Sequence, residues 1–352
     1  MSSVFSDLTG IIKDDEAILI YTPVSRHYLT GFPSTLGYFF IRKDKNVLFT
    51  DGRYYEAAAS GVKDGINVEL FRSIKSDGEK FLEEIKTLYV ETSNTIEDVL
   101  RFEKLFEVKV IPEEKINKII CGYRELKTKY ETDCILKAQE IAEKALEKTF
   151  GKIKCGVTEN EIAAELEYEM KLLKSEKTSF ETIVVSGVKS SLPHGIPGDK
   201  KIADGEFVTM DFGAVYCGYH SDMTRTVAVG SVSYEMRNIY NTVLKANNSA
   251  VLAIRDGVSC IEVDKAARSV IETAGYGEYF THSTGHGVGL EIHESPNLGP
   301  YNSACLKSGN IVTVEPGIYI PGKFGVRIED MVAVTKNGGI NLTKVDKTLI
   351  IL

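Results

Sequence analysis

The sequence lacks several features that assign proteins to broad classes. No stretch of about 18 consecutive apolar residues occurs, which excludes an apolar membrane-spanning helix. The opening residues, MSSVFSDLTGIIKDDEA, have no basic start followed by an apolar run, so no targeting segment is expected there. Positive charge is in deficit. Forty-two lysines and arginines face 50 aspartates and glutamates, a net charge of −8, which removes the electrostatic case for nucleic acid or an anionic membrane surface. The six cysteines include no CxxC pair, which argues against a disulfide framework or a zinc knuckle. These absences describe a reduced, cytoplasmic protein with no nucleic-acid and no membrane partner. What remains is an ordinary globular composition, and 352 residues are enough for about two domains.

Residues 1–123 read as an α/β domain. Short strands are expected over 17–21, 37–41 and 46–50, and helices over 52–60 and 78–88. His27 and the run Asp51-Gly52-Arg53-Tyr54 are read as turn and packing residues. Near Tyr123 the texture becomes charged and helical in period, so the boundary falls between Gly122 and Glu131. The second domain, 124–352, contains a repeat. Gly156-Val157-Thr158 followed by Glu161 matches Gly257-Val258-Ser259 followed by Glu262, and both are capping boxes at helix starts. Each is preceded by a long helical segment, 131–150 or 234–254, and followed by strand-rich sequence. The layout helix, helix, strands therefore occurs twice, as expected of two halves related by pseudo-two-fold symmetry around antiparallel sheet.

The chemistry gathers around EFVTMDFGAVYCGYHSD, residues 206–222. Residues 207–215 alternate as a strand, with Thr209 and Asp211 on one face and Val208, Met210 and Phe212 on the other. If Cys217 and Gly218 form a two-residue hairpin loop, Asp211 sits opposite Thr224. Asp222 is then its diagonal neighbour on the same face, at roughly 7–8 Å. His220 falls on the Asp222 face too. Downstream, Glu315 shares a face with Thr313, and Glu329 with Arg327. These acids are read as lying at strand centres, where burial without a partner costs several kcal/mol each. Two divalent cations would balance Asp211, Asp222, Glu315 and Glu329. His282 and His286 have the spacing of a helical zinc motif, but Gly285, Gly287 and Gly289 argue against a helix, and the glutamate of HExxH is missing.

The motifs PHGIPGDKKIADGEFVTMDFGAVYCGYHSDMTRTVAVG, THSTGHGVGLEIHESP, VTVEPGIYIPG and GVRIED, in that order, resemble those of the pita-bread metallopeptidases, the group with methionine aminopeptidase, aminopeptidase P and prolidase. YLTGF and TDGRY, within residues 28–54, resemble the creatinase-like N-terminal domain of the Xaa-Pro branch. The resemblance implies an α/β creatinase-like domain followed by an α+β pita-bread domain. It also implies a two-metal site in which Asp211 chelates one ion, Asp222 and Glu329 bridge, and His286 and Glu315 hold the other. An oxygen-rich set of this kind suits manganese and accommodates cobalt, iron or zinc. His194, His282 and His293 match the family's remaining site histidines. By that match His282 stabilises a developing oxyanion or holds the carbonyl, while His194 and His293 orient substrate and move protons. Thr224 and Arg327 are expected to orient the bridging acids. The implied partners are proline-containing peptides and a second copy, as a homodimer. Prolidases often carry arginine shortly after the HExP segment, whereas His293-Glu294-Ser295-Pro296 is followed here by Asn297. The expected activity is therefore that of an Xaa-Pro aminopeptidase, aminopeptidase P-like, with Xaa-Pro dipeptidase as the alternative. Creatine-type hydrolysis uses no metal cluster and is disfavoured by five retained ligands. A binding module on the same fold is the reading from another class.

Overall fold

The computed structural model describes residues 3–352. The chain divides into two compact units, Met1–Arg124 and Glu125–Leu352. In the first, six strands form one sheet: β1 (Glu16–Ile20), β2 (Tyr38–Ile41), β3 (Asn46–Thr50), β4 (Asn67–Leu70), β5 (Thr87–Val90) and β6 (Lys109–Pro112). They lie in the order β4-β3-β2-β1-β5-β6. The central strands are continuous apolar runs because both faces are covered. Ile18, Ile20, Phe39, Ile41 and Leu48 enter one core, while Ala17, Leu19, Phe40, Val47 and Phe49 enter the other. The helix expected over 78–88 is instead Ile74–Phe81, and Thr87 already begins β5. Gly78 lies inside that helix because a Cβ there would stand 2.4 Å from the Phe106 ring.

In the second unit the two capping boxes are formed. Thr158 with Glu161 starts the helix Glu159–Leu172, and Ser259 with Glu262 starts Cys260–Thr273. The helices before them are Lys129–Thr149 and Tyr234–Ala253. The first pair covers a sheet built from β7 (Ile183–Ser186), β8 (Glu206–Phe212) and, after the short strands β9 (Val215–Tyr216) and β10 (Tyr219–His220), β11 (Met223–Val229). Its order is β11-β8-β7. The second pair covers a sheet of β12 (Gly285–Gly287), β13 (Glu294–Leu298), β14 (Ile311–Val314), β17 (Asp330–Thr335) and β18 (Gly338–Asn341), in the order β13-β12-β14-β17-β18. β15 (Gly317–Ile320) and β16 (Phe324–Arg327) make a separate ribbon. Every pairing between these named strands is antiparallel. Helix, helix, strands thus recurs along the chain, each set with its own core.

The hairpin register is the one the two-residue loop requires. Cys217 and Gly218 both have positive φ, Tyr216 pairs with Tyr219, and Asp211 stands opposite Thr224. The strand expected to run unbroken over 207–215 stops at Phe212, however. The Ser179 hydroxyl inserts there, bonding Ala214 O at 2.9 Å and Ser221 O at 2.7 Å. Gly213 makes this possible, since a Cβ at that position would lie 1.9 Å from Ser221 O. Gly213→Ala is therefore expected to destabilise this unit by about 1–3 kcal/mol. Denaturant unfolding followed by circular dichroism reads the shift, and an unchanged midpoint would remove the close packing described.

Candidate metal centre

Asp211, Asp222, His286, Glu315 and Glu329 line one cavity of about 890 Å³ together with His194 and His293. Asp211 sits within β8 and His286 in the middle of β12. The other three depart from the expected strand centres: Asp222 precedes β11, Glu315 follows β14 and Glu329 lies between β16 and β17. At those ends the backbone leaves its ladder and its amides serve other strands. Glu315 N donates to Thr284 O at 2.7 Å and Glu329 N to Thr224 O at 3.1 Å. The second bond ties the two halves of the unit together beside the acids.

His286 shows what the site requires. Its Nδ1 lies 3.0 Å from the carbonyl of Gly287, which can only accept, so the proton is on Nδ1 and Nε2 carries a lone pair. Burial, with His293 adding to it, lowers the ring's pKa to about 4, so it is neutral near pH 7. That lone pair nevertheless faces Asp222 Oδ2 at 3.5 Å and Glu315 Oε1 at 3.4 Å. Ligand atoms of Asp222, His286 and Glu329 lie within 4.8 Å of one another. Asp222 Oδ2 and Glu315 Oε1 thus converge on one imidazole lone pair, and Thr313 Oγ1 donates to the same Glu315 oxygen at 3.3 Å. Asp211 Oδ1 is buried with no hydrogen-bond partner. Burial raises Asp222 and Glu329 well above the usual carboxylate range, and each is pushed further by its acidic neighbours. Glu315 is pushed up to about 8 by burial, with Asp211 adding to it against the pull of Arg327. The donor set fits divalent cations, whose charge would reverse these shifts.

Arg327 is the cation that faces the cluster. Its guanidinium reaches Asp211 Oδ2 at 2.6 Å, Thr224 Oγ1 at 3.0 Å and the Tyr319 hydroxyl at 2.9 Å. Thr224 donates in turn to Glu329 Oε2 at 2.7 Å. Arg327 thus bonds Asp211 directly and reaches Glu329 by hydrogen bonding through Thr224, while its charge also acts on Glu329. His282 is placed differently from His194 and His293 and does not appear on the cavity wall. Its Nδ1 donates to Ser283 O at 2.8 Å, and its Nε2 accepts from the Tyr319 hydroxyl at 3.0 Å. The His293 ring meets that of His286 edge-on, with 4.4 Å between centroids. His220 is buried off the cavity and, desolvated, is held near pKa 4.

Several residues that support the site were not singled out from the sequence. Asn247 donates to Val314 O and Ile328 O, the carbonyls preceding Glu315 and Glu329, at 2.9 and 3.2 Å. Lys347 bridges Asn247 and Asp330 at 2.6 Å each, and Arg225 pairs with Asp330 at 2.9 Å. Asn247 had a signal: it continues the buried stripe Tyr240, Val243 and Ala250 of its helix, where an amide needs partners.

A hydrolytic metal centre on duplicated helix–helix–strand halves is the class this geometry defines. Residues 133–336 match the model of metallopeptidase family M24, and residues 13–119 that of the creatinase/prolidase N-terminal domain. An Xaa-Pro dipeptidase of Pyrococcus furiosus is 42% identical over 336 residues, 95% of each chain. A solved Xaa-Pro dipeptidase from Bacillus anthracis is similar with a TM-score of 0.94 and 39% identity, covering 99% of both chains. An X-Pro aminopeptidase from Thermotoga maritima is similar at a TM-score of 0.91 and 34% identity, also over 99% of both. The chain belongs to metallopeptidase family M24 and is a metallo-exopeptidase.

The raised carboxyl groups set a pH dependence. The folded, metal-free chain holds protons on Glu315, Asp222 and Glu329 more tightly than the unfolded chain does. Their contribution is fully present below the ordinary carboxylate pKa and is lost as pH rises towards about 8. The melting temperature of the metal-free chain is expected to fall by several degrees from pH 5 to pH 8, and manganese should abolish most of that fall. A flat profile without metal would contradict the buried-acid cluster.

Proposed function

We propose that the chain is an Xaa-Pro dipeptidase that hydrolyses the bond before proline and uses two divalent ions, manganese by preference. The observation that carries this is the four acids and one neutral imidazole converging on a cavity, in a chain whose near-full-length relatives include named Xaa-Pro dipeptidases. Asp211, Asp222, His286, Glu315 and Glu329 would hold the ions. When bound, the ions supply a nucleophile at neutral pH and polarise the scissile carbonyl.

The remaining steps fall to this chain's own side chains. Nδ1–H of His286, fixed on Gly287 O, keeps Nε2 aimed at the cluster. Arg327 and Thr224 hold Asp211 and Glu329 in place. Phe180, Ile183, Ile196, Pro197 and Ile292 give the cavity an apolar wall for a proline ring. Proline's nitrogen carries no hydrogen in the peptide, so it must be protonated as it leaves. His194 and His293 are on the wall, where an imidazole can make that transfer. His282 acts from behind, holding the Tyr319 hydroxyl that Arg327 also contacts.

One observation favours the aminopeptidase reading. Among the described residues that line the cavity there is no lysine or arginine for a dipeptide's free carboxylate. Asn297 bears little on the choice, because it bonds Ser283 Oγ at 3.2 Å and lies off the cavity wall. Hydrolysis of Ala-Pro and Ala-Pro-Ala with added manganese separates the two. Turnover of the dipeptide at least about tenfold above the tripeptide is expected, a discrimination worth 1.4 kcal/mol. The reverse order would make the chain an Xaa-Pro aminopeptidase.

A further inference from the structure

Glu159 opens the helix Glu159–Leu172 and is completely buried. Its carboxylate is directed at one segment of chain. Oε1 accepts from Ser186 N at 2.7 Å and from Ser186 Oγ at 3.0 Å, while Oε2 accepts from Lys189 Nζ at 2.6 Å and from Gly198 N at 3.2 Å. The backbone of the same helical turn follows suit: Glu159 N donates to Lys200 O and Asn160 N to Gly198 O, both at 3.1 Å. One buried anion thus joins the start of the segment, 186–189, to its end at 198. Between those ends lie His194, Gly195, Ile196 and Pro197, all on the cavity wall. Burial of apolar side chains does little to fix this stretch, since Val188, Leu192 and Ile196 are 56%, 55% and 73% exposed. Its middle is held from the second half of the unit, where Gly325 N donates to Ser190 Oγ at 2.9 Å and Arg327 Nη1 to Pro193 O at 3.3 Å. Polar ties therefore fix where this wall stands, and Glu159 is the side chain that joins its two ends.

We propose that Glu159 is a positioning residue for the hydrolysis: by closing the segment 186–198 into a bracket, it sets where His194, Ile196 and Pro197 stand in the cavity. The role rests on the reading of His194 as a proton-transfer group on that wall. Glu159 is itself absent from the wall, so it acts through the segment. A carboxylate suits the task because it only accepts, and four donors converge on it, one of them an ammonium. Glutamine would keep the size but present N–H groups either to Lys189 and Gly198 or to the Ser186 amide. Whichever way that amide turned, one end of the bracket would open.

The test uses the full chain loaded with manganese, with Ala-Pro hydrolysis and hydrogen exchange as the readouts. In Glu159→Gln, the amides of 187–198 are expected to exchange at least about tenfold faster. Metal content should be unchanged, and kcat on Ala-Pro should fall roughly ten- to a hundredfold. A general loss of stability would lower kcat alike in any background, whereas a role exerted through His194 would not. Adding Glu159→Gln to His194→Ala is therefore expected to change kcat by less than about twofold. Lys189→Met removes one tie and should move exchange and kcat in the same direction by less, and it carries the test if Glu159→Gln does not fold. Unchanged exchange, or the same loss of kcat with and without His194, would overturn the proposal. A wild-type chain that cleaves neither Ala-Pro nor Ala-Pro-Ala would contradict the peptidase reading instead, and exchange alone would then decide whether Glu159 fixes the segment.

Discussion

Four carboxylates share one partly desolvated space, and most of the second unit is arranged around that constraint. Like charges this close repel strongly when water is excluded, so they must be protonated or neutralised. Arg327 neutralises Asp211 and steadies Glu329 through Thr224. One guanidinium cannot balance four acids, and the remaining demand is for cations. The lone pair of His286, aimed at two carboxylate oxygens, expresses the same demand from the nitrogen side.

The fold meets the constraint by fixing backbone rather than by crowding side chains. Glu315 and Glu329 stand where strands end, and the carbonyls just before them are gripped by Asn247. Behind Asn247, Lys347 and Arg225 converge on Asp330, which is fully buried and paired on both oxygens. In this second polar layer two cations grip one carboxylate, so unlike the first it carries no surplus of negative charge, and it serves as a rigid support. The cross-link from Glu329 N to Thr224 O joins the layer to the other half, so both halves contribute ligands to one cavity.

Much of this was legible in the sequence, for physical reasons that differ by residue. A two-residue loop fixes hairpin register, so Asp211 opposite Thr224 followed from Cys217-Gly218 alone. The capping boxes at Thr158 and Ser259 are local and read directly. Strand ends were less accessible: the break at Gly213 depends on Ser179, distant in sequence, entering the ladder. The Tyr319 bridge between His282 and Arg327, and the reach of Lys347 to Asn247, depend on long-range contacts with no periodic signal. Asn297 was read against a dipeptidase because prolidases often carry arginine shortly after the HExP segment, whereas its side chain bonds Ser283 and lies off the cavity wall.

The most direct measurement is calorimetric titration of manganese into the metal-free full chain, alongside Asp222→Asn and Glu329→Gln. Two ions per wild-type chain are expected, with protons released on binding, and each variant should lose at least one ion. Wild-type binding of no ion, or unchanged stoichiometry and affinity in both variants, would contradict a cation site built on these carboxylates.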